Sequence, residues 1–138
     1  MDEKAVRAVL KHYLDSSDQD IAHEIYHEDA VLEFPQSGER FEGVENFRAW
    51  RRIYPANVEY ETRRMRGRDD LWIVEILARY DDGPWNYGVD ILEFRDDKVA
   101  HESIYVMEGW EAPEWRAPWR AAPPREQDGE PAADADGA

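Results

Sequence analysis

The hydropathy period of this chain changes once, near Asn57, and that change limits the folds open to it. Upstream, apolar residues recur at helical spacing; downstream they recur at every second position. The downstream half predicts four strands, at about 57–66, 71–80, 85–94 and 98–108. The linkers "GRDD", "DDGP" and "RDD" are too short for crossovers, so consecutive strands must run antiparallel, as a meander.

Upstream, residues 3–15 predict a helix with Val6, Val9, Leu10, Tyr13 and Leu14 on one face. "SSDQD" supplies capping residues for a short second helix through Ile21, Ile25 and Tyr26. "AVLEF" at 30–34 predicts a strand closed by Pro35 and the turn residues Ser37 and Gly38. A third helix, Val44 to Tyr54, turns Val44, Phe47, Trp50, Ile53 and Tyr54 inward and stops at Pro55. Helices packed on one face of a curved antiparallel sheet make an α+β domain over residues 1–120.

The remainder, 121–138, has no large apolar residue and is rich in Pro, Ala, Gly and acid, which predicts a disordered tail. That tail accounts for −4 of the formal net charge of −15, so the folded part is itself acidic. A surface this negative repels phosphate backbones and argues against nucleic acid as a partner. The basic runs at 51–52 and 63–68 read as local charge alternation rather than a phosphate site. No cysteine is present, no signal peptide is recognisable and no apolar run approaches the ~20 residues that span a bilayer, so a cytoplasmic protein without membrane contact is expected.

One residue is out of place in this pattern. Asp90 sits between Val89 and Ile91 in an otherwise apolar strand. With Asp82-Gly83 as a two-residue hairpin turn, Asp90 lies across from Glu75, Leu77 across from Gly88, Ile73 across from Leu92 and Arg79 across from Asn86. The opposite face, from Trp72 and Val74 through Tyr87 to Ile91, is almost wholly apolar, and the helices suffice to cover only one face. A homodimer through one sheet face is therefore expected. Two carboxyls about 5 Å apart in an apolar setting cannot both ionise cheaply, so one should hold its proton near neutral pH, as acid–base chemistry requires. The structural alternative is a carboxylate satisfied by Arg79 or Arg64.

The segments "DIAHEIYHEDAVLEFP", "FEGVENF" and "VDILEFRDDKVAHESIY" together resemble the nuclear transport factor 2-like superfamily, and within it the SnoaL-like and ketosteroid isomerase-like branch. The resemblance covers about residues 4–120 and implies a cone-shaped half-barrel around a pocket roofed by helices, usually a dimer through the outer sheet face. By this resemblance Asp90 matches an oxyanion-hole carboxylic acid that an apolar site holds protonated. Tyr13 falls within one residue of the phenol donor. The position of the isomerase's catalytic base is Phe34 here, so steroid isomerisation by that route lacks its base. Glu75 is the candidate to take its place.

The last strand has two registers. A three-residue "RDD" loop with a bulge, which the resemblance implies and which is preferred, turns Glu102 and Ile104 toward Asp90; a two-residue turn would turn His101 and Ser103 there instead. If Glu75, Asp90 and Glu102 all face inward, the pocket would suit a cationic ligand or a divalent metal. "HEIYH" at 23–27 matches the H-E-x-x-H zinc motif but lies on a helix of about seven residues without a third ligand, and reads as a solvated face. Trp110, Trp115 and Trp119, interleaved with Pro113 and Pro118, read as a segment wrapping the domain edge, with a pocket lid as the alternative.

The function expected is a cofactor-free pocket protein for a small hydrophobic molecule, acting as an acid–base isomerase or cyclase on a polyketide- or steroid-like carbonyl compound. Asp90, Glu75 and Tyr13 would carry the chemistry, with Glu102, Trp50, Phe34, Leu92 and Ile104 lining the site. A non-catalytic ligand-binding or dimeric assembly module is the alternative.

Overall fold

The computed structural model describes residues 1–122. Beyond position 122, the tail expected from composition lies outside the described residues. Three helices, α1 (Glu3–Leu14), α2 (Gln19–Ala22) and α3 (Val44–Arg52), accompany six strands: β1 (Tyr26–Phe34), β2 (Glu39–Glu42), β3 (Val58–Arg68), β4 (Leu71–Tyr80), β5 (Trp85–Arg95) and β6 (Lys98–Met107). The Asp2 carboxylate caps α1 by accepting the Ala5 N–H at 2.9 Å. The strands form one sheet in the order β2-β1-β6-β5-β4-β3. The expected meander is its β3–β6 half. The short edge strand β2 has no counterpart in the sequence reading, and β1 joins β6 in parallel, because no short turn ties those two strands together.

Two bulges curve the sheet. Arg63 is an extra residue in β3, between the Thr62–Ile76 and Arg64–Glu75 pairs. Ala100 is the extra residue in β6, between Phe94–Val99 and Glu93–His101. Each bulge bends its strand and reverses which side chains face in beyond it. Val6 of α1 and Val44 and Phe47 of α3 fill the concave side against Leu32, Met65, Val74, Leu92 and Val99. Burying each of these large side chains contributes roughly 1.5–3 kcal/mol, which makes this contact the main source of stability.

The β4–β5 register corrects the sequence reading. Arg79 pairs with Trp85 and Val74 with Asp90, whereas Glu75 pairs with Val89. The turn holds one more residue than expected. Asp81 adopts a left-handed φ of 50°, its N–H donates to the Asn57 carbonyl at 2.7 Å, and its carboxylate accepts the Asn57 N–H at 3.0 Å. The start of β3 thus captures Asp81 into the turn, and every pairing slips by one residue. Asp90 and Glu75 point to opposite faces as a result.

The tryptophan segment also departs from expectation. Glu114–Trp119 forms a 3-10 turn, and Trp110, Trp115 and Trp119 are 80%, 73% and 80% exposed, so they neither fill grooves nor cover the interior.

Gly67 is packed where no side chain fits: a Cβ there would stand 2.3 Å from the Leu71 carbonyl oxygen and 2.6 Å from the Trp72 ring. Gly67→Ala should cost at least about 2 kcal/mol in equilibrium urea unfolding, because backbone and the Trp72 ring must both move.

Candidate functional site

The bulge at Ala100 sets the site. Two residues, Asp96 and Asp97, form the β5–β6 turn with φ of 52° and 68°, so the loop itself is the shorter of the two considered. The bulge compensates. It leaves Glu102 and Ile104 facing inward with Asp90, and turns His101 out to Glu33, at 2.8 Å, and toward Glu93. Asp90 and Glu102 are 9% and 4% exposed and, lying diagonally across β5 and β6, are hydrogen-bonded to each other. The expected carboxyl pair therefore exists, but Glu102 takes the place assigned to Glu75. Glu75 lies on the outer face between the Arg64 and Arg66 guanidiniums at 2.8 and 2.7 Å, with its carboxyl held below the usual range by the Arg64 bond first. The pocket with three acids, and the cationic ligand or metal it would suit, goes with that correction. No group of three or more residues able to hold a metal ion occurs among the described residues.

Three residues that the sequence reading did not select complete the site. Tyr26 opens β1, buried, and its hydroxyl donates a short hydrogen bond to Glu102 Oε1. Arg51, in the last turn of α3, keeps part of its side chain at the surface while its guanidinium lies inside. One of its nitrogens contacts the Tyr26 hydroxyl at 3.2 Å and donates to His23 Nε2 at 3.1 Å. The guanidinium stands 5.3–5.8 Å from the ring centres of Tyr13, Trp50, Phe47 and Tyr26. Aromatic faces attract a cation, so these rings help hold the charge inside. The sequence carried a signal for Arg51: it lies four residues after Phe47, on the helix's buried stripe.

His23 is 2% exposed, not on a solvated face. Its Nδ1 lies 2.8 Å from the Gln19 carbonyl, an acceptor, so Nδ1 carries the hydrogen and Nε2 offers a lone pair to Arg51. The ring is therefore neutral, and burial pushes its pKa down to about 4. His27, its partner in the H-E-x-x-H match, is on β1 and bonds the Arg95 carbonyl. The motif belongs to two elements, which is why it assembles no zinc site.

The electrostatics separate the two carboxyls. Burial, then the neighbouring Glu102 charge, raises Asp90 well above the ordinary carboxyl range despite Arg51. Burial thus favours the protonated form of Asp90, whose Oδ1 has no hydrogen-bond partner. Tyr13, above the rings, is raised by burial. Desolvation opposes charge on Arg51, but Tyr26, Tyr13 and Glu102 outweigh it and keep it firmly cationic. Arg51 is a cation beside two carboxyls, one of them favoured in its neutral form, which limits the net charge of the interior. Toward β2, Phe34, Phe41 and Trp50 pack with ring centres 5.5–6.4 Å apart. Leu92, opposite Glu102, and Ile104, opposite Asp90, supply apolar wall.

Because His23 is depressed in the folded state, the unfolded chain takes up this proton first, and stability falls as pH drops from 6.5 toward about 4. The slope from this residue is at most about 1.4 kcal/mol per pH unit. Thermal melts of the wild type and His23→Gln should therefore converge as the pH is lowered through that window.

The sequence model of the SnoaL-like domain matches residues 6–102. An NTF-2 like protein of unknown function from Burkholderia xenovorans LB400 is 39% identical, with 88% of this chain and 98% of that one covered at a TM-score of 0.78. A putative ketosteroid isomerase from Kribbella flavida DSM 17836 superposes at 0.75 with 23% identity, over 89% and 93% of the two chains. An LEH-like epoxide hydrolase from M. tuberculosis gives 0.62 at 19% identity, over 75% and 80%. Curated protein sequences give no match. Domain match and fold agree: the chain belongs to the SnoaL-like domain family, with the cone-like α+β fold of NTF2-like proteins.

Proposed function

We propose that the protein is a cofactor-free acid–base catalyst for a small, uncharged, largely apolar carbonyl compound, of the isomerase or cyclase kind. The observation that carries this reading is the buried Asp90 beside Glu102, with one carboxyl oxygen unpartnered and its protonated form favoured by burial. Such a pair holds one proton and has room for a second. It can take a proton from an α-carbon at Asp90 Oδ1 while the shared proton moves onto Glu102. Reversal of both transfers returns a proton to a different atom of the same molecule, so no net proton is consumed. Tyr13, buried and near Asp90 and Glu102, would orient the substrate oxygen in this reading. The balanced interior supports a neutral ligand over an amine, since Arg51 already fills the aromatic box.

A second reading, binding without turnover, is supported by Phe34, which leaves the inner end of β1 with an aromatic ring where the isomerase-like pattern has a base. One experiment separates the two. Cyclohexanone and cyclohex-2-enone incubated in D2O with wild type should exchange α-hydrogens for deuterium, followed by NMR, and Asp90→Asn should slow this by roughly 100-fold or more. Exchange should fade as pH falls far enough for the pair to take up its second proton, since no acceptor then remains. Binding of these ketones without exchange by wild type would favour the second reading. The same variant should be folded, because the Asn amide still donates to Glu102. Its stability relative to wild type should increase with pH, since a carboxyl raised by folding weakens the fold above its unfolded value.

We also propose that the protein acts as a homodimer in the cytoplasm. Leu71, Ile73 and Tyr87 are 50%, 39% and 45% exposed on the outer face of β4 and β5, beside the half-buried Val89 and Ile91. A second copy presenting the same patch across a two-fold axis would cover them. Ile73→Lys should give a monomer in analytical ultracentrifugation while the wild type sediments as a dimer; a monomeric wild type sinks the idea.

A further inference from the structure

We propose that Arg51 is a positioning residue for the carboxyl pair: acting through the Tyr26 hydroxyl, it holds Asp90 and Glu102 to a single shared proton. This rests on the reading of the pair as the reactive group, and adds the device that keeps it charged and ready. The geometry has three parts. The Arg51 guanidinium stands inside the domain, 3.2 Å from the Tyr26 hydroxyl. That hydroxyl gives its hydrogen to Glu102 Oε1, so Arg51 meets the oxygen of a donor already committed to the carboxylate. The other contact of the same nitrogen is a neutral acceptor, His23 Nε2, since the ring's hydrogen is on Nδ1 and is donated to the Gln19 carbonyl.

The arrangement has a direction. A guanidinium donating to a phenol oxygen draws electron density from it and makes its O–H a stronger donor, which favours the carboxylate form of Glu102. The phenol cannot reverse its bond while Arg51 occupies its oxygen from the other side. Glu102 is thereby kept as the acceptor of both Tyr26 and Asp90, and the proton between the carboxyls stays with Asp90. Among the described residues, the titratable groups facing the pair fit this scheme. Tyr13 on α1, Tyr26 on β1 and Tyr60 on β3 are phenols raised by burial, and His23 is neutral. Arg51 is the cation among them. On β4 the residue opposite Asp90 is Val74, which contributes no charge. Removing Arg51 would leave a lone carboxylate among apolar and neutral groups, and the pair would lower its energy by taking up a second proton.

The scheme can be read directly by counting protons. Carboxyl carbons of 13C-labelled protein, assigned with Asp90→Asn and Glu102→Gln, should show one acid and one carboxylate at pH 7 in wild type. In Arg51→Met, the pH at which the pair gains its second proton should rise by at least about one unit, a tenfold change in that equilibrium. Tyr26→Phe keeps the cation but breaks the connection, and should move the pair the same way by less. Arg51→Lys should restore part of the wild-type behaviour. A folded Arg51→Met with the pair's titration unchanged overturns the inference, as does a wild-type pair carrying two protons or none at pH 7. That wild-type measurement stands even if no Arg51 variant folds. A singly protonated, Arg51-dependent pair in a protein that exchanges no ketone hydrogens would defeat the catalytic reading alone and leave this one in place.

Discussion

The parity of strand β6 is the constraint on which the interior depends. Side chains alternate, so one extra residue at Ala100 decides whether His101 or Glu102 enters the cone. With Glu102 inside, Asp90 gains a neighbour that makes its proton difficult to lose. Tyr26 gains an acceptor and Arg51 gains a counter-charge. With His101 inside instead, the interior cation would have no anion, and Glu102 would join Glu33 and Glu93 on an already acidic exterior. A single bulge thus couples backbone geometry to interior charge.

Electrical balance explains why so polar a set of groups is tolerated under helices that otherwise bury Val6, Val44 and Phe47. An isolated ion in such surroundings would cost several kcal/mol, and a lone pair of like charges more. Here the Arg51 and Glu102 side chains meet through the Tyr26 phenol, and burial favours the neutral form of Asp90. Four aromatic rings stand within 6 Å of the cation and supply part of the solvation that water would otherwise give. Among the buried polar atoms without partners are Asp90 Oδ1 and Trp50 Nε1, an acceptor and a donor.

Much of the architecture was legible in the chain, because periodicity reports burial directly. The helix over 3–14, the helix from Val44 and the β3–β6 meander follow from spacing alone. The local failures have one physical origin: contacts distant in sequence overrode local preference. Asp82-Gly83 has a strong two-residue turn signal, but the backbone of Asn57 captures Asp81 and lengthens the loop. Asp90 was legible as an anomaly in its strand, and Glu102 through the bulged register, yet Glu75 was misplaced by that one-residue slip. Arg51 was read with Arg52 as surface charge. Only the second of the two meets solvent acid, in Asp20, while the first follows Phe47 into the core. His23 was obscured by a motif that spans a helix end and a strand.

The exposed segment after β6 has a consequence for optical work on this protein. Three of its six tryptophans, Trp110, Trp115 and Trp119, are bathed in solvent while the chain is native. Their emission is already red-shifted before denaturation, so intrinsic fluorescence will register mainly the surroundings of Trp50, Trp72 and Trp85 against a large constant background. Quenching by iodide would sample the first group and spare Trp72, packed 6% exposed against the core. A single chromophore left at Trp72 would turn the same signal into a clean reporter of core melting.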